Sequence, residues 1–294
     1  MNRRVPDAMY KRIDRIAMDA LLYGLLKSLE YMGEQRRVIL DRMGSMMLQY
    51  LVETGTVTPP DSPGELDRSL RRLLIKNGYG PRIPLQSKAV QGTPTSPNLV
   101  EILTPTDQQL VGGAFLKSSV SRGKEKVDWV LYEMVLYGMT KALDDQLGVQ
   151  GQLILDRIGT GMLDYLLKLG AIERSDDPKI LIQSVIDYFV KAGYAKSFRY
   201  ELEGAPPDTF VSRYESARYY TTVFRRIRKE GSALLSCPLC LVGHSIWGTQ
   251  GWKFGDILEV RIKSDGQVLI KSKVYPSTER FTEKDALRFS RMKV

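Results

Sequence analysis

The sequence predicts an α+β chain in which one helical module occurs twice and only the second copy runs on into strands. Three observations lead there. LLYGLLKSL at 21–29 is matched by VLYGMTKAL at 135–143, so that Tyr23, Gly24, Lys27 and Leu29 align with Tyr137, Gly138, Lys141 and Leu143. VILDRMGSMMLQYLVETG at 38–55 is matched by LILDRIGTGMLDYLLKLG at 153–170, one inserted residue further on. The register then holds through Asp61, Pro63, Gly78 and Tyr79 to Asp176, Pro178, Gly193 and Tyr194. The division that follows is a helical half-domain over 1–80, a linker or wrapping arm over 81–126 and a complete α+β unit over 127–294.

In chain order, Leu21, Leu22, Leu25, Leu26 and Leu29 form one helical stripe, and Ile39, Met43, Met46, Met47, Tyr50 and Leu51 a second. Gly55 and Gly170 stand where a left-handed C-cap residue stops the second helix of each copy. Ser62-Pro63-Gly64-Glu65 reads as an N-cap, a first-turn proline and a capping-box glutamate, and Asp177-Pro178 repeats the signal. A third helix follows in both, with apolar positions Leu66, Leu70, Leu73 and Leu74, then Leu181, Val185, Tyr188 and Phe189. Beyond Gly78 the chain turns rich in Pro, Ser, Thr and Gly, with room for one short strand at 99–103. Beyond Gly193, alternation at Phe198, Tyr200 and Leu202 predicts a strand, as do residues 210–214, 257–263 and 267–274. The last two are joined by the hairpin signal Asp265-Gly266. The apolar stretch 233–252 predicts a buried helix, and 217–230 fits helix and strand periods only in part.

The chain has 294 residues and a net charge of +9. The basic excess lies in the flanks: 14 basic against 10 acidic groups in 1–85, 6 against 10 in 127–195, and 18 against 11 in 196–294. That asymmetry offers pairing between the copies, or a basic face for nucleic acid or an anionic membrane surface. No stretch approaches the roughly 20 apolar residues of a membrane span, and MNRRVPDAMYKRIDR lacks a signal-peptide core. Two cysteines three apart argue against a disulfide framework. A cytoplasmic protein, with room for peripheral attachment to membranes, is the expectation.

LLYGLLKSL with LDRMG, and VLYGMTKAL with LDRIG, resemble the hallmark helix pair of the TRAPP core subunits of the Bet-three type and of the related 4-vinyl reductase, or hydrocarbon-binding, domains. In the second copy the likeness extends through VIDYFVKAGYA, FRYELEGAPPDTFV and CPLCLVGHSIWG to the terminal hairpin. The resemblance implies helices on a small antiparallel sheet, dimerisation through helical surfaces and an apolar cavity. Two copies on one chain would make the dimer internally. It implies a non-catalytic scaffold or sensor that binds protein partners or itself. The cysteine that carries an acyl group in TRAPP relatives has no counterpart in TGTVTPPDSPG or LGAIERSDDPK, leaving non-covalent occupancy by a lipid or hydrocarbon.

Leu25, Met43, Met47, Tyr50, Met139, Met162 and Tyr165 are the candidates for lining such a cavity, because methionine fits irregular apolar shapes; ordinary core is the competing reading. Gly44, Gly159 and Gly161 allow close helix approach. Cys237 and Cys240, with His244 as the lone histidine, read as packed thiols, a redox pair or the start of a metal site that lacks a fourth ligand, so zinc is not expected. Arg225, Arg226, Arg228 and Lys229, beside Tyr219 and Tyr220, are candidates for polyanion contact. The Asp41-Arg42 and Asp156-Arg157 pairs read as caps or inter-helix ion pairs, and neither they nor the carboxylate pair Asp144-Asp145 has nucleophile-base spacing beside it. No phosphate loop, zincin motif or nucleophile elbow occurs, so no enzyme and no cofactor are expected. A nucleic-acid-binding regulator and a thiol redox sensor remain the alternatives to the binding and assembly reading.

Overall fold

In a computed structural model, residues 11–57, 63–77, 125–204, 207–215, 217–249, 252–263 and 267–276 are described. The first copy gives strand β1 (Arg12–Asp14) and helices α1 (Arg15–Leu29), α2 (Gln35–Glu53) and α3 (Pro63–Lys76). The second gives β2 (Lys126–Asp128), α4 (Trp129–Leu147), α5 (Gly151–Lys168) and α6 (Pro178–Lys191). It continues through β3 (Ser197–Gly204), β4 (Pro207–Glu215), a π-helical turn at Tyr220–Phe224, α7 (Arg225–Lys229), α8 (Pro238–Thr249), β5 (Trp252–Ile262) and β6 (Val268–Pro276). The expected α+β class is what is found.

Local chemistry sets the boundaries. Asp14 accepts from the Ile16 amide at 2.7 Å and Asp177 from the Lys179 amide at 2.8 Å, each capping a helix. Gly55 and Gly170 take φ of 67° and 65°, the left-handed stop expected of them. Ser62, Gly78 and the 99–103 strand fall outside the described residues. The ambiguous 217–230 segment is helical. Tyr220, Val223, Phe224 and Ile227, spaced i, i+3, i+4 and i+7, are all buried on one helical face, and Tyr219, the residue before the π turn, is buried beside them.

The helices exchange partners between copies. α1 packs on α5, and α4 packs on α2. The contacts are reciprocal in residue number. A Cβ on Gly24 would collide with the Ile158 carbonyl oxygen, and one on Gly138 would lie 2.9 Å from that of Met43, the residue aligned with Ile158. Tyr23 stacks on Tyr165 with centroids 5.1 Å apart, and Tyr137 on Tyr50 at 5.2 Å, both tilted by 38°. β1 and β2 run antiparallel with Ile13 opposite Val127, which are themselves aligned residues. One contiguous core therefore draws on both copies, and the boundary expected at 126/127 cuts through β2. The second sheet, ordered β3-β4-β6-β5 and antiparallel throughout, belongs to the second copy alone. Helix α8 joins it to the helical layers, packing on α5, α6 and β5. Gly159 admits it, since a Cβ there would overlap the Leu241 backbone.

Candidate functional site

Leu25, Met43, Met47, Tyr50, Met139, Met162 and Tyr165 are all buried in the one core that both copies share. A Cβ on Gly138 would come within 2.5 Å of Met47 Cγ, and one on Gly24 within 3.1 Å of Met162 Cγ, so these methionines already occupy the space under the glycines. Gly161 belongs to the same contact, with its Cβ position 2.7 Å from Gly24 Cα, whereas Gly44 faces open space. A groove of about 750 Å³ on the described surface lies elsewhere, between β1, α6 and the turn before it, and is lined by Asp14, Ser184, Tyr188 and Lys191 among others.

Both ends of the seam between copies carry a tyrosine hydroxyl, a carboxylate and a cation over a ring. At one end Tyr23 donates to Asp164 at 3.2 Å, Lys168 donates to the same carboxylate at 2.6 Å, and its ammonium stands 5.8 Å from the Tyr23 centroid. Copy one has Gln49 and Glu53 where copy two has Asp164 and Lys168. At the other end α7 and the residue after it supply the missing groups. Tyr137 donates to Glu230 at 2.9 Å, while Arg226 lies over both Tyr137 and Tyr50 and pairs with Glu53 and Glu230. Beneath them Glu133, 2% exposed, accepts from Arg218 Nε at 2.7 Å, Thr222 at 2.8 Å and Tyr50 at 3.1 Å. Burial and the neighbouring Glu133 carboxylate push the Tyr50 phenol far above its ordinary range.

Of the four basic candidates, Arg226 and Arg228 are engaged inward. The Arg228 guanidinium stands over Phe224 and donates to the Ser232 carbonyl at 2.9 Å, and burial pulls its pKa down. Arg225 and Lys229 are exposed. Of the two Asp-Arg motifs, the first places Arg42 in an ion pair between copies, with Asp145 at 2.5 Å, and the second places Asp156 3.5 Å from His244.

Cys237 immediately precedes α8, and Cys240 lies in its first turn. The Cys240 amide donates to Cys237 Sγ at 3.3 Å. Tyr194, from the turn after α6, donates to Cys237 Sγ at 3.4 Å. Tyr214 of β4 and Tyr220 of the π turn reach Cys240 Sγ at 3.1 and 3.2 Å. Tyr219 closes the cage by bonding Ser236, which also accepts from Thr140 at 2.6 Å. Burial pushes the Cys237 thiol up, but hydrogen bonds from Cys240, Tyr194 and Tyr220 together outweigh it and hold the thiol below its usual range. Burial, and then the bond to Cys237, raise that of Cys240. His244 turns to α5, its Nδ1 3.5 Å from Asp156. Among the described residues no three His, Cys, Asp or Glu side chains converge as metal ligands would.

The tyrosine cage, Glu133 and Arg218 escaped the sequence reading. One signal was present: 15 tyrosines against 8 phenylalanines, a surplus of hydroxyls that an apolar core must satisfy. No described helix is long and apolar enough to cross a membrane. Comparison with protein-family models, curated proteins and solved structures found no match to this chain.

Proposed function

We propose that this chain is a non-catalytic binding and assembly protein, similar to the TRAPP core subunits, whose two helical copies complete within one molecule the paired-helix platform that such subunits form between chains. The reciprocal exchange of α1 onto α5 and α4 onto α2 carries this reading. The buried seam leaves one apolar side chain exposed at the same position of each copy, Val38 on α2 at 51% and Leu153 on α5 at 57%. Equivalent apolar positions on the two outward faces suit contact with further protein chains or with other copies. The candidate cavity residues serve the platform as packing.

Native mass spectrometry of the freshly purified chain, with organic extraction, tests the reading. The expected result is a set of discrete self-associated or partner-bound species free of stoichiometric small molecules. Replacing Val38 and Leu153 together with glutamate is expected to reduce them to single chains with an unchanged circular dichroism spectrum. A chain that stays single at every concentration and carries one apolar molecule per copy would instead make it a ligand-holding domain.

A further inference from the structure

Cys237 and Cys240 sit where α8 begins, in a cage whose hydroxyls come from the turn after α6, β4 and the π turn. We propose that these two thiols form a reversible disulfide on reaction with a small hydroperoxide, making the N-terminus of α8 a redox switch. The spacing places one sulfur ahead of the helix and the other one turn in, close enough for the Cys240 amide to reach Cys237 Sγ at 3.3 Å. Tyrosine hydroxyls from three elements converge on the two sulfurs. A neutral thiol is a weak acceptor, whereas a thiolate on Cys237 accepts strongly from Tyr194 and the Cys240 amide, with Tyr214 and Tyr220 bonded to the neighbouring Cys240. The hydrogen bonds and the helix N-terminus place that negative charge on Cys237 and leave the proton on Cys240.

Burial selects the oxidant. Cys237 has no exposed surface and Cys240 is only half-buried, so a molecule of two heavy atoms gains access where a bulky disulfide does not. The Tyr132 hydroxyl is also buried, has no hydrogen-bond partner among the described residues and feels the Cys237 charge. A small oxygen-bearing molecule would satisfy it. In the reaction the Cys237 thiolate attacks one oxygen of hydrogen peroxide, the O–O bond breaks, and hydroxide leaves to take up a proton as water. The product is a sulfenic acid on Cys237. Cys240 loses its proton and attacks that sulfur, the S–S bond forms and a second water leaves. Two thiols are oxidised and one peroxide is reduced, and a dithiol reverses the change by exchange. Oxidation takes the acceptor away from Tyr214 and Tyr220, and so alters the contact that ties β4 and the π turn to α8.

The test uses the full, reduced chain, hydrogen peroxide in about tenfold excess over thiol, and intact mass after denaturing alkylation. Expected are the loss of two hydrogens with no alkylation, and reversal by dithiothreitol. Cys240→Ser should gain one oxygen on Cys237, trapped by dimedone. Tyr194→Phe and Tyr220→Phe should melt close to the parent yet oxidise about three- to tenfold more slowly, since each removes a donor that favours the thiolate; a purely structural role would leave the rate unchanged. Unaltered mass, with both thiols alkylated only after denaturation, overturns the proposal, as does oxidation at equal rates in all variants.

Discussion

Arg226 lies over the ring of Tyr137, its guanidinium carbon 4.3 Å from the centroid, and so occupies from outside the duplicated segment a role that Lys168 fills from within it at the other end of the seam. The carboxylates are matched in the same way, Glu230 for Asp164. Because Arg226 is largely withdrawn from water, its pairing with Glu53, Glu230 and two aromatic faces is worth more than a surface ion pair. Arg226→Gln is expected to cost about 1–2 kcal/mol in denaturant unfolding. A double-mutant cycle with Tyr137→Leu should return a coupling of about 0.5–1 kcal/mol. Additive losses would show that the stacking contributes nothing.

Gly24 and Gly138 hold the crossing helices at backbone contact, so a single methyl group should force them apart. Gly138→Ala brings Cβ to 2.5 Å from Met47 Cγ and 2.9 Å from the Met43 carbonyl oxygen, of which only the methionine can yield. A loss of about 2–3 kcal/mol is expected for it, and for Gly24→Ala, on the scale of overpacked cores. Gly44→Ala meets nothing within 4 Å and sits inside α2, where alanine is favoured over glycine by up to about 1 kcal/mol. Thermal melts of the three variants should move in opposite directions, with Gly44→Ala alone upward.

That contrast shows where sequence reading stops. The alignment of Tyr23 with Tyr137 and of Gly24 with Gly138 was legible because repetition needs no geometry, and the helices and caps followed from spacing and residue type. Which glycine bears a contact was not legible, because Gly44 and Gly159 occupy aligned positions and differ only in what folds against them. Three-residue strands such as β1 and β2 carry no periodicity to detect. The cysteines were found, but the cage was not, since Tyr194, Tyr214 and Tyr220 meet only after strand and helix have packed. Sequence alone offers Arg226 for polyanion contact, because Glu53 and Tyr50, two of the groups that hold it inward, lie more than 170 residues earlier.

Glu133 is the buried acceptor for three side chains, so losing it should cost more than losing any one donor. Glu133→Leu leaves Arg218 and Thr222 without that acceptor and is expected to destabilise by about 2–4 kcal/mol, discounted because Arg218 is 37% exposed and regains water. Tyr50→Phe removes one donor and should cost about 0.5–1.5 kcal/mol. Equal effects in urea titrations would mean that the carboxylate acts through Tyr50 alone.

Asp14 joins two opposing demands at the edge of the groove. Its carboxylate caps α1 through the Ile16 amide, while burial raises its pKa above the ordinary aspartate value of 3.8, against the pull of that amide, Lys126 and Lys191. With the folded value raised, the folded state holds its proton at a pH where the unfolded chain has released it. The penalty for ionising it in the fold is absent below about pH 3.8, grows as pH climbs to the folded value, and is complete above it. Asparagine caps as well as aspartate and carries no charge. Asp14→Asn should therefore raise the melting temperature relative to the parent at pH 7 and lose that advantage as the pH falls toward 3.8. Asp14→Ala, which gives up the cap, should fall about 1 kcal/mol below the asparagine variant at both ends of the range. An asparagine variant less stable than the parent at pH 7 would mean that Lys126 and Lys191 outweigh the burial.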